Sequence, residues 1–507
     1  MTHIVLHAVP SWGHTKPLLS FMVLLAESGE DVVVTLLTGP LYPQIMAELE
    51  KTPKERFSKV ESRVNVIDIT GSSPNYFDVP QFEDALREFY SGSGEVVCAS
   101  SKKVFKNLPR PGLAIVDPVA GYAIEAVRKL ATPKETPIFS WMTSSLGFTV
   151  GEWGPAHLNG RGDEWRKIIN MERPEERVAR GVELLGEIDD TILSVPGYPP
   201  IHRYELYPQE SHVSLELPAI FYAACYKYIH ETEGYISVSS SILEGDATKG
   251  WREYMEGLGK EFYEIGFIAA TAETPQNDGD SDVTEFLEKI GREHGHRSLI
   301  YISFGSMWWP SNPENLYAVI DELIKSKTPF LIANPKSFYE NGGLPEKVLK
   351  AIQECGFGLA TKWAPQDAIL QHPATGWFLS HGGWNSFQES LRYRVPMIFW
   401  PIGADQALNA VLLSVKHQAA FELISVRGGE GAKRPARFTD GQKDPEFTVD
   451  GVREELRDVL KSLKGKEGEA IRRKLDILAT EIGKLWDEEG QSRKEFKLFV
   501  WKHVTRS

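Results

Sequence analysis

The chain has 507 residues, of which 42% are hydrophobic and 25% are charged, and its formal net charge is −14. This length suits two or three domains, and the composition is ordinary for a globular protein. The acidic balance without a long basic run argues against a nucleic-acid-binding protein, and no apolar run reaches the ~18 residues of a membrane-spanning helix.

The first half of the chain alternates short apolar runs with helical patterns. A helix is expected over Pro17–Ser28, where Gly29 would end it. The strand candidates are Ile4–Val9, Val32–Leu37, Val64–Ile69, Leu113–Val116, Pro137–Ser140 and Ile236–Ser239. Continuous Val, Ile and Leu runs that helices separate are typical of a parallel sheet covered on both faces.

The same alternation begins again in the second half and indicates a second α/β unit. Its strand candidates are Ser298–Phe304, Phe330–Ala333, Gly376–Leu379 and Met397–Trp400. Between the halves, Thr271–Asp282 is acidic and rich in turn residues, so its Asp-x-Asp spacing is interpreted as a solvated linker and not as a metal site. A second polar stretch, Arg427–Asp450, is expected to be a surface loop, and Gly451–Val500 is expected to be helical.

The strand Gly376–Leu379 leads into His381-Gly382-Gly383 and then into a helical pattern that begins at Trp384. A strand, a glycine turn and a helix start together point backbone N–H groups at an anion, and glycines let the backbone approach a phosphate closely. Asn385 and Ser386 fall in the first turn of that helix, and Glu389 lies one turn further along, where it could accept the hydroxyls of a ribose. By itself, this segment is about as compatible with an ordinary β–α turn capped by Asn and Ser.

Two further pieces flank this segment. Trp363 follows the strand-like Gly358–Lys362 and offers a flat surface for a base, although a single Trp is more often part of a core. Asp405 and Gln406 follow the strand Met397–Trp400, at the end where open α/β sheets place ligand groups. An acid and an amide together can satisfy neighbouring sugar hydroxyls.

The spacing W-x-P-Q, H-x-G-W-N-S, E and D-Q resembles the donor-binding signature of the family-one UDP-dependent glycosyltransferases, in its plant-type form. The match runs from Trp363 to Asn409, is supported by Tyr301–Ser306 and Ser239–Glu244, and weakens over Gly151–Ala223. The resemblance implies the GT-B fold, which has two Rossmann-like domains facing each other across a cleft and C-terminal helices that return to the N-terminal domain. The expected divisions are residues 1–267 for acceptor binding, 268–282 as linker, 283–480 for UDP-sugar binding and 481–507 as the returning helix.

The resemblance also assigns roles to individual residues. It gives the uracil stack to Trp363 and the ribose to Gln366 and Glu389. The expected diphosphate contacts are Gly305, Ser306, His381, Asn385 and Ser386, and the expected sugar contacts are Trp384, Asp405 and Gln406. Gln406 favours glucose over related sugars, and Ser140 aligns with a position near the sugar 6-hydroxyl. Arg394 departs from the family pattern, which usually has Gly there.

The catalytic residues are expected in the first half. Gly13-His14 follows the first strand and matches the general base of the family, although a loop histidine alone is more often incidental. An imidazole with a pKa near ~6.5 suits the removal of an acceptor proton at neutral pH. Asp117 follows the strand Leu113–Val116 and matches the partner acid, or it only caps the following helix; the dyad is favoured. The implied reaction is one in-line displacement that inverts the anomeric carbon and needs no metal or other cofactor besides the UDP-sugar.

The acceptor is less well defined. The aromatic residues of His157–Tyr228 suit the walls of a pocket for a lipophilic hydroxylated small molecule, or an ordinary helical core: Trp165, Tyr204, Tyr207, Phe221 and Tyr222. Alternative functions are a UDP-sugar epimerase or hydrolase, and a non-catalytic nucleotide-sugar-binding protein, against which Gly13-His14 with Asp117 argues. A dehydrogenase is disfavoured because no GxGxxG follows the first strand. Three scattered cysteines and the absence of a signal peptide predict a cytoplasmic protein, which is expected to be a monomer.

Overall fold

The computed structural model describes residues 2–70, 80–92, 94–210, 214–268, 281–334 and 343–505. Its chain divides into two compact units. The first contains Met1–Leu185, Leu215–Thr274 and Lys484–Ser507, and the second contains Gly186–Ser214 and Pro275–Gly483. Most of the expected linker, residues 269–280 with Asp278 and Asp280, lies outside the described residues.

The strands are mostly short and fully buried, as expected for sheets covered on both faces. In chain order they are β1 Thr2–His7, β2 Val32–Thr38, β3 Val64–Asp68, β4 Glu95–Val97, β5 Val104–Lys106, β6 Pro111–Val116, β7 Ile138–Met142, β8 Ile192–Leu193, β9 Ile201–His202, β10 Gly234–Ser237, β11 Glu261–Glu264, β12 Leu299–Ser303, β13 Phe330–Ala333, β14 Gly358–Thr361, β15 Thr375–Ser380, β16 Met397–Phe399 and β17 Phe421–Glu422.

Helices follow most of these strands. In chain order they are α1 Trp12–Glu27, α2 Tyr42–Glu50, α3 Lys54–Phe57, α4 Pro80–Ser91, α5 Gly121–Leu130, α6 Leu146–Trp153, α7 Gly162–Ile169, α8 Pro174–Leu185, α9 Glu216–Glu231, α10 Ser241–Gly257, α11 Ser281–His294, α12 Pro313–Lys325, α13 Glu346–Cys355, α14 Gln366–Gln371, α15 Trp384–Tyr393, α16 Gln406–Val411, α17 Val449–Leu463, α18 Lys466–Gly483 and α19 Gln491–His503. None of these described helices is both long and apolar enough to cross a membrane.

The first unit is built on a seven-stranded sheet in the order β11-β10-β7-β6-β1-β2-β3. All of its neighbouring strands pair in parallel. The order reverses between β1 and β6, so the loops that follow these two strands lie side by side at the carboxyl edge, where open α/β sheets bind ligands. The predicted parallel sheet of the first half is therefore confirmed.

The C-terminal helix α19 completes the core of this first unit. Phe499 is fully buried and makes edge-on contacts with Phe139 of β7 and Tyr263 of β11, with ring centroids 5.2 and 5.1 Å apart. Phe21 of α1 also packs against Phe499 at 6.1 Å. The end of the chain thus returns to the unit in which it began.

The second unit has a six-stranded sheet in the order β14-β13-β12-β15-β16-β17, again with parallel pairing throughout. This is the strand order of a dinucleotide-binding α/β domain, with the reversal between β12 and β15. Its apolar core combines Ile302 and Leu379 of the central strands with Leu456 of α17 and Ile471 of α18. The fold class predicted from the sequence, two Rossmann-like α/β units, is confirmed.

Residues 186–214 belong to the second unit although the chain on both sides of them belongs to the first. A buried cluster of four charged side chains fixes this segment in place: Glu205, Glu422, Arg427 and Arg437. Arg427 is 2% exposed and bonds both carboxylates, at 3.1 Å to Glu205 and 2.8 Å to Glu422. The expectation of a surface loop over Arg427–Asp450 is therefore wrong at its first residues, because the loop begins inside this ion cluster.

Two of the predicted boundaries that differ from the structure lie close to the predicted site residues. Helix α1 begins at Trp12 and not at Pro17, so Pro17 lies inside the helix. Pro17 is the sixth residue of α1 and lies just beyond the first turn, so it lacks the N–H that would otherwise bond the carbonyl four residues earlier. Strand β7 extends to Met142, two residues beyond the predicted end at Ser140.

Candidate functional site

In the first unit, His14 and Asp117 meet at the point where the strand order reverses. His14 lies in the first turn of α1, just after β1, and Asp117 follows β6 directly. His14 Nδ1 lies 2.6 Å from Asp117 Oδ2. Since a carboxylate only accepts, Nδ1–H is the donor, and a neutral imidazole in this tautomer carries its lone pair on Nε2. The pairing gives the imidazole the orientation and electronic form of a general base.

Asp117 serves two partners with its two carboxylate oxygens. Its side chain is fully buried, whereas that of His14 is 32% exposed. Oδ1 accepts from the N–H of Val119 at 2.9 Å in the turn before α5, and Oδ2 accepts from His14. The two readings of Asp117, as dyad partner and as a group that organises the start of the next helix, therefore describe different oxygens of one side chain. The backbone bond fixes the carboxylate that the histidine needs.

The loop after β7, next to Asp117 in the sheet, is held by a second buried carboxylate. Glu244 of α10 accepts from the backbone N–H groups of Leu146 at 3.1 Å and Gly147 at 2.7 Å, and also from the Ser239 hydroxyl. A carboxylate at a helix N-terminus satisfies its unbonded donors and complements its dipole. Glu244 thereby fixes the start of α6.

Ser140 does not reach this edge of the sheet. It lies within β7, is fully buried, and bonds the Thr232 hydroxyl at 2.9 Å. Its predicted contact with the sugar 6-hydroxyl is therefore wrong, and the cause is the misplaced end of β7. Thr143 is the first residue after β7 and so has the strand-end position that was predicted for Ser140. The sequence prediction missed Thr143 because it ended the strand too early.

In the second unit, the loops after β12 and β15 meet around His381. Gly305 has a φ of +74°, and a Cβ there would lie 2.9 Å from the His381 ring. Gly383 is equally close, since its Cβ would lie 2.6 Å from His381 Nε2. Gly382 has a φ of +82° and packs against Phe399, so it also has to be glycine. Burial lowers the pKa of His381 to about 4. The imidazole is thus neutral near pH 7 and acts as a hydrogen-bonding group, not as a cation.

The start of α15 lies directly after this glycine turn. The hydrogen-bond ladder of α15 begins where Phe387 N–H donates to Gly383 O at 3.0 Å, so the preceding N–H groups point out of the helix end. Asn385 and Ser386 lie in this first turn, as predicted. Trp384 does not present its ring there, because the ring is 3% exposed and stacks on Phe387 at 4.9 Å. The predicted contact of Trp384 with the sugar would therefore be made by its backbone.

Gln366, at the first position of α14, bonds two other predicted donor residues and one tyrosine. Its carbonyl oxygen accepts from the Tyr301 hydroxyl at 3.1 Å. Its amide nitrogen donates to Glu389 Oε2 at 2.5 Å and to Ser386 Oγ at 3.3 Å. Glu389 is 5% exposed, so its carboxylate is held in a defined position. Tyr301 was part of a matching motif in the sequence, but its role in fixing Gln366 was not predicted.

Trp363 contrasts with these buried groups. It follows β14 and is 63% exposed, whereas Trp141, Trp165, Trp251 and Trp400 are fully buried in the cores. The Thr361 hydroxyl donates to its carbonyl oxygen at 2.9 Å and fixes the turn. An indole left in solvent at a carboxyl strand end is a surface on which a planar base can stack.

Asp405 and Gln406 begin α16, and both are buried. Gln406 Oε1 accepts from the N–H groups of Ile402 at 2.8 Å and Gly403 at 3.1 Å, which closes the turn after β16. Asn409 Nδ2 donates to Asp405 Oδ2 and to Gly382 O, both at 2.9 Å. Asn409, which was not predicted as a site residue, therefore connects the acid of the predicted sugar site to the glycine turn after β15.

Comparisons with known proteins agree with this geometry. The sequence profile described as "UDP-glucoronosyl and UDP-glucosyl transferase" matches residues 260–427. UDP-glycosyltransferase eriJ of Hericium erinaceus is 28% identical over 97% of this chain and 96% of its own length. UDP-glycosyltransferase 72B1 of Arabidopsis thaliana is 31% identical over 54% of this chain and 55% of its own length. The chain is therefore similar to UDP-dependent glycosyltransferases over nearly its whole length.

Solved structures show the same fold. The Medicago truncatula UGT71G1 complexed with UDP-glucose superposes with a TM-score of 0.69 at 19% identity, and covers 99% of this glycosyltransferase and 98% of its own chain. A Siraitia grosvenorii transferase in complex with UDP gives a TM-score of 0.68 at 20% identity, covering 99% of this chain and all of its own. The resemblance and the GT-B fold predicted from the sequence are confirmed. The protein is an enzyme that uses a UDP-sugar donor.

Arg394 of the glycosyltransferase ends α15 in the left-handed conformation, with φ 56° and ψ 37°. This is the conformation for which glycine is best suited, and a side chain there costs about 1–2 kcal/mol. The guanidinium donates to the Asp476 carbonyl at 2.9 Å and to the Thr480 hydroxyl at 3.1 Å, both on α18. The substitution thus exchanges backbone freedom for contacts between two helices, at a position remote from the ends of α15 and α16 that carry the donor residues.

The aromatic residues expected to line the acceptor site divide between the two units. Trp165 is fully buried among α7, α8 and α9, and Tyr222 packs 5.9 Å from it. Tyr204 is 4% exposed, belongs to the second unit, and donates to the Arg434 carbonyl. Trp165 and Tyr204 are therefore core residues of the glycosyltransferase.

Within the described ranges, no group of three or more His, Cys, Asp or Glu side chains could hold a metal ion.

Proposed function

We propose that this glycosyltransferase transfers glucose from UDP-glucose to a hydroxyl of a lipophilic small molecule, with inversion at the anomeric carbon. His14 is the general base and Asp117 its partner. The observation that carries the proposal is the 2.6 Å contact between His14 Nδ1 and Asp117 Oδ2 at the carboxyl edge of the first sheet. A nucleotide-sugar-binding protein without catalysis has no use for this pair.

The reaction is one displacement. The acceptor oxygen attacks C1 of the sugar while the bond from C1 to the β-phosphate oxygen breaks, and the acceptor proton moves to His14 Nε2. Asp117 stabilises the imidazolium that forms, without taking the proton itself. An α-linked donor then gives a β-glycoside and UDP.

The second unit supplies the groups that bind the donor. Trp363 stacks on the uracil, and Glu389, oriented by Gln366, accepts from the ribose hydroxyls. His381, Gly305 and Ser306 with the first N–H groups of α15 stabilise the charge that develops on the leaving diphosphate. Asn385, Ser386 and the backbone of Trp384 contribute at that helix start.

Asp405 and Gln406 hold the sugar. The Gln406 carbonyl oxygen already accepts from two backbone N–H groups, so its amide nitrogen is the group it offers to a hydroxyl. Asp405 complements it as an acceptor, because a carboxylate only accepts. A donor beside an acceptor suits two neighbouring hydroxyls of a hexose, and this pairing supports glucose.

The lipophilic character of the acceptor is supported by the residues that follow three adjacent strands. Trp12 comes after β1, Val119 and Tyr122 after β6, and Phe148 after β7. Each is on the segment that leaves the carboxyl edge where His14 and Asp117 lie. Apolar and aromatic side chains around a few polar groups are typical of small-molecule sites.

The test of the base is His14→Ala. We expect kcat to fall by about 10²–10⁴ with UDP affinity unchanged, and Asp117→Asn to cause a smaller loss. His296→Ala is the matched control, because His296 is exposed and precedes β12, at the opposite edge of a sheet from the ligand-binding ends. Near-normal turnover of His14→Ala would overturn the base assignment.

Product analysis tests the rest of the proposal. UDP-sugars and mixed hydroxylated aromatics and terpenoids are incubated with the enzyme, and the glycosides are identified by mass spectrometry and their anomeric form by NMR. An α-glycoside would contradict the single displacement. Turnover of UDP-sugar without any acceptor would instead favour an epimerase or hydrolase. Full activity in excess EDTA is expected, since the proposed mechanism needs no metal.

We also propose that the enzyme works in the cytoplasm as a monomer. Cys98, Cys225 and Cys355 are all unpaired thiols, which suits a reducing compartment. Light scattering of the purified chain tests the monomeric state, and a dimer mass would contradict it.

A further inference from the structure

The loop between β12 and α12 carries two consecutive tryptophans with different environments. Trp309 is 6% exposed and packs on Phe304 in the core, with ring centroids 5.7 Å apart. Trp308 is half-buried. It lies two residues after Ser306, which is proposed to contact the diphosphate. The Trp309 indole is therefore part of the core, whereas the Trp308 indole is only partly covered.

The ring of Trp308 lies against Gly403, in the turn that leads to Asp405. A Cβ on Gly403 would be 3.1 Å from Trp308 Cη2 and 3.2 Å from Cζ3. Gly403 does not have a positive φ, so its backbone conformation does not require glycine. What a side chain at this position would meet is the indole. The absence of a side chain at 403 thus leaves room for Trp308 beside the turn.

The loop that carries Trp308 is fixed on both sides. Gly305 packs against His381 at its start. At its end, the Ser311 hydroxyl donates to Gln209 Oε1 at 3.0 Å, while Gln209 Nε2 donates to the Val426 carbonyl at 2.8 Å. A loop held at both ends gives its residues a defined position, which a recognition surface requires.

We infer that Trp308 forms an aromatic wall of the sugar subsite and contributes to the choice of donor sugar. The inference rests on the proposed function, in which Ser306 contacts the diphosphate and Asp405 with Gln406 contacts the sugar. Trp308 contacts Gly403, in the turn that leads to Asp405 and Gln406. A rigid indole face offers apolar contact to the C–H face of a pyranose, while the hydroxyls bond to Asp405 and Gln406.

The test compares the binding of UDP with that of UDP-glucose, by calorimetry on the full chain without acceptor. Trp308→Ala is expected to weaken UDP-glucose binding on the order of tenfold and to leave UDP binding within about twofold, because UDP has no sugar to contact the wall. Trp308→Phe keeps a smaller aromatic face, and its affinity for UDP-glucose should lie between those of the unmodified enzyme and Trp308→Ala. Trp501→Ala, which removes a 48% exposed indole on α19, is the matched control and should change neither affinity.

Gly403→Val provides an independent test because its side chain would occupy the space of the indole. It should lower the affinity for UDP-glucose as Trp308→Ala does, and the double variant should lose little more than either single one. Circular dichroism checks that each variant is folded. Equal weakening of both ligands, or of neither, by Trp308→Ala would overturn the inference while leaving the proposed function intact. Failure of the unmodified enzyme to bind either ligand would overturn the proposed function itself.

Discussion

Replacing Arg427 by Met should destabilise the second unit more than any surface substitution. The guanidinium is 2% exposed and lies between Glu205 and Glu422, whose side chains are 1% and 4% exposed. Burial raises the pKa of Glu422, but Arg437 and Arg427 outweigh that effect and hold it below its usual value. Methionine fills much of the same volume without the charge. The variant would therefore leave two buried carboxylates with only one guanidinium.

The magnitude follows from this imbalance. Removing one partner of a buried ion pair costs about 3–5 kcal/mol, since the remaining charge is desolvated without compensation. Arg437 still bonds both carboxylates, at 3.1 Å to Glu205 and 2.6 Å to Glu422, so a loss of about 3 kcal/mol is expected. The double variant Arg427→Met with Glu422→Gln also removes one carboxylate, and it should recover much of the lost stability.

The loss is measured by urea unfolding, with hydrogen exchange of peptides from the second unit to locate it. Arg434→Met is the matched control, because Arg434 is 37% exposed and pairs with the exposed Asp444; its change should stay within about 0.5 kcal/mol. In the Arg427 variant only Arg437 opposes the burial that raises the pKa of Glu422. The pKa of Glu422 is therefore expected to rise, the folded state should bind protons more readily, and the deficit should shrink from pH 7 to pH 5. A variant within 1 kcal/mol of the parent protein, or a deficit independent of pH, would refute the reasoning.

Three further outcomes are expected. Trp363→Ala should weaken UDP binding by about 1–3 kcal/mol without changing stability, as calorimetry and thermal melting would show, and an unchanged UDP affinity would remove the stacking role. Arg394→Ala should be less stable to urea than Arg394→Gly by about 1 kcal/mol, because both lose the contacts to α18 but only glycine relieves the left-handed backbone; equal stabilities would contradict this. Burial lowers the pKa of four histidines from 6.5 to about 4: His3, His7, His230 and His381. Because the unfolded chain then binds protons first, stability should fall as the pH drops from 6.5 towards 4, and a melting temperature that does not fall over this range would disprove it.

The parts of the fold that depend on local pattern were predictable. Apolar runs located the central strands, and the order of strands and helices gave two parallel sheets. Two residues proposed for the chemistry directly follow strands, Asp117 after β6 and His381 after β15, while His14 lies in the first turn of the helix after β1. In a parallel sheet the carboxyl ends share one edge, so identifying the strands also indicated which side chains come together. The catalytic and binding roles of these residues stay predictions.

Other features depend on contacts between distant positions, which no local pattern reveals. The pairing of Glu205 with Arg427 joins residues 222 positions apart. The sequence does not show that Trp308 lies against Gly403; their contact is visible only in the structure. Ser140 was misplaced because β7 continues for two residues beyond the predicted segment Pro137–Ser140, into Trp141 and Met142. The first two cases depend on tertiary packing, which the sequence does not show, whereas the third is a misplaced strand end.

The chain's two units are not two consecutive lengths of polypeptide, and this affects how such enzymes can recombine. A crossover placed near residue 275 would inherit Gly186–Ser214 from one parent and its binding surface from the other. Glu205 and Gln209 would then meet a foreign partner in place of Arg427 and Ser311. Hybrids between relatives should therefore fold when all four positions come from the same parent. They should fail to fold when the four positions come from different parents.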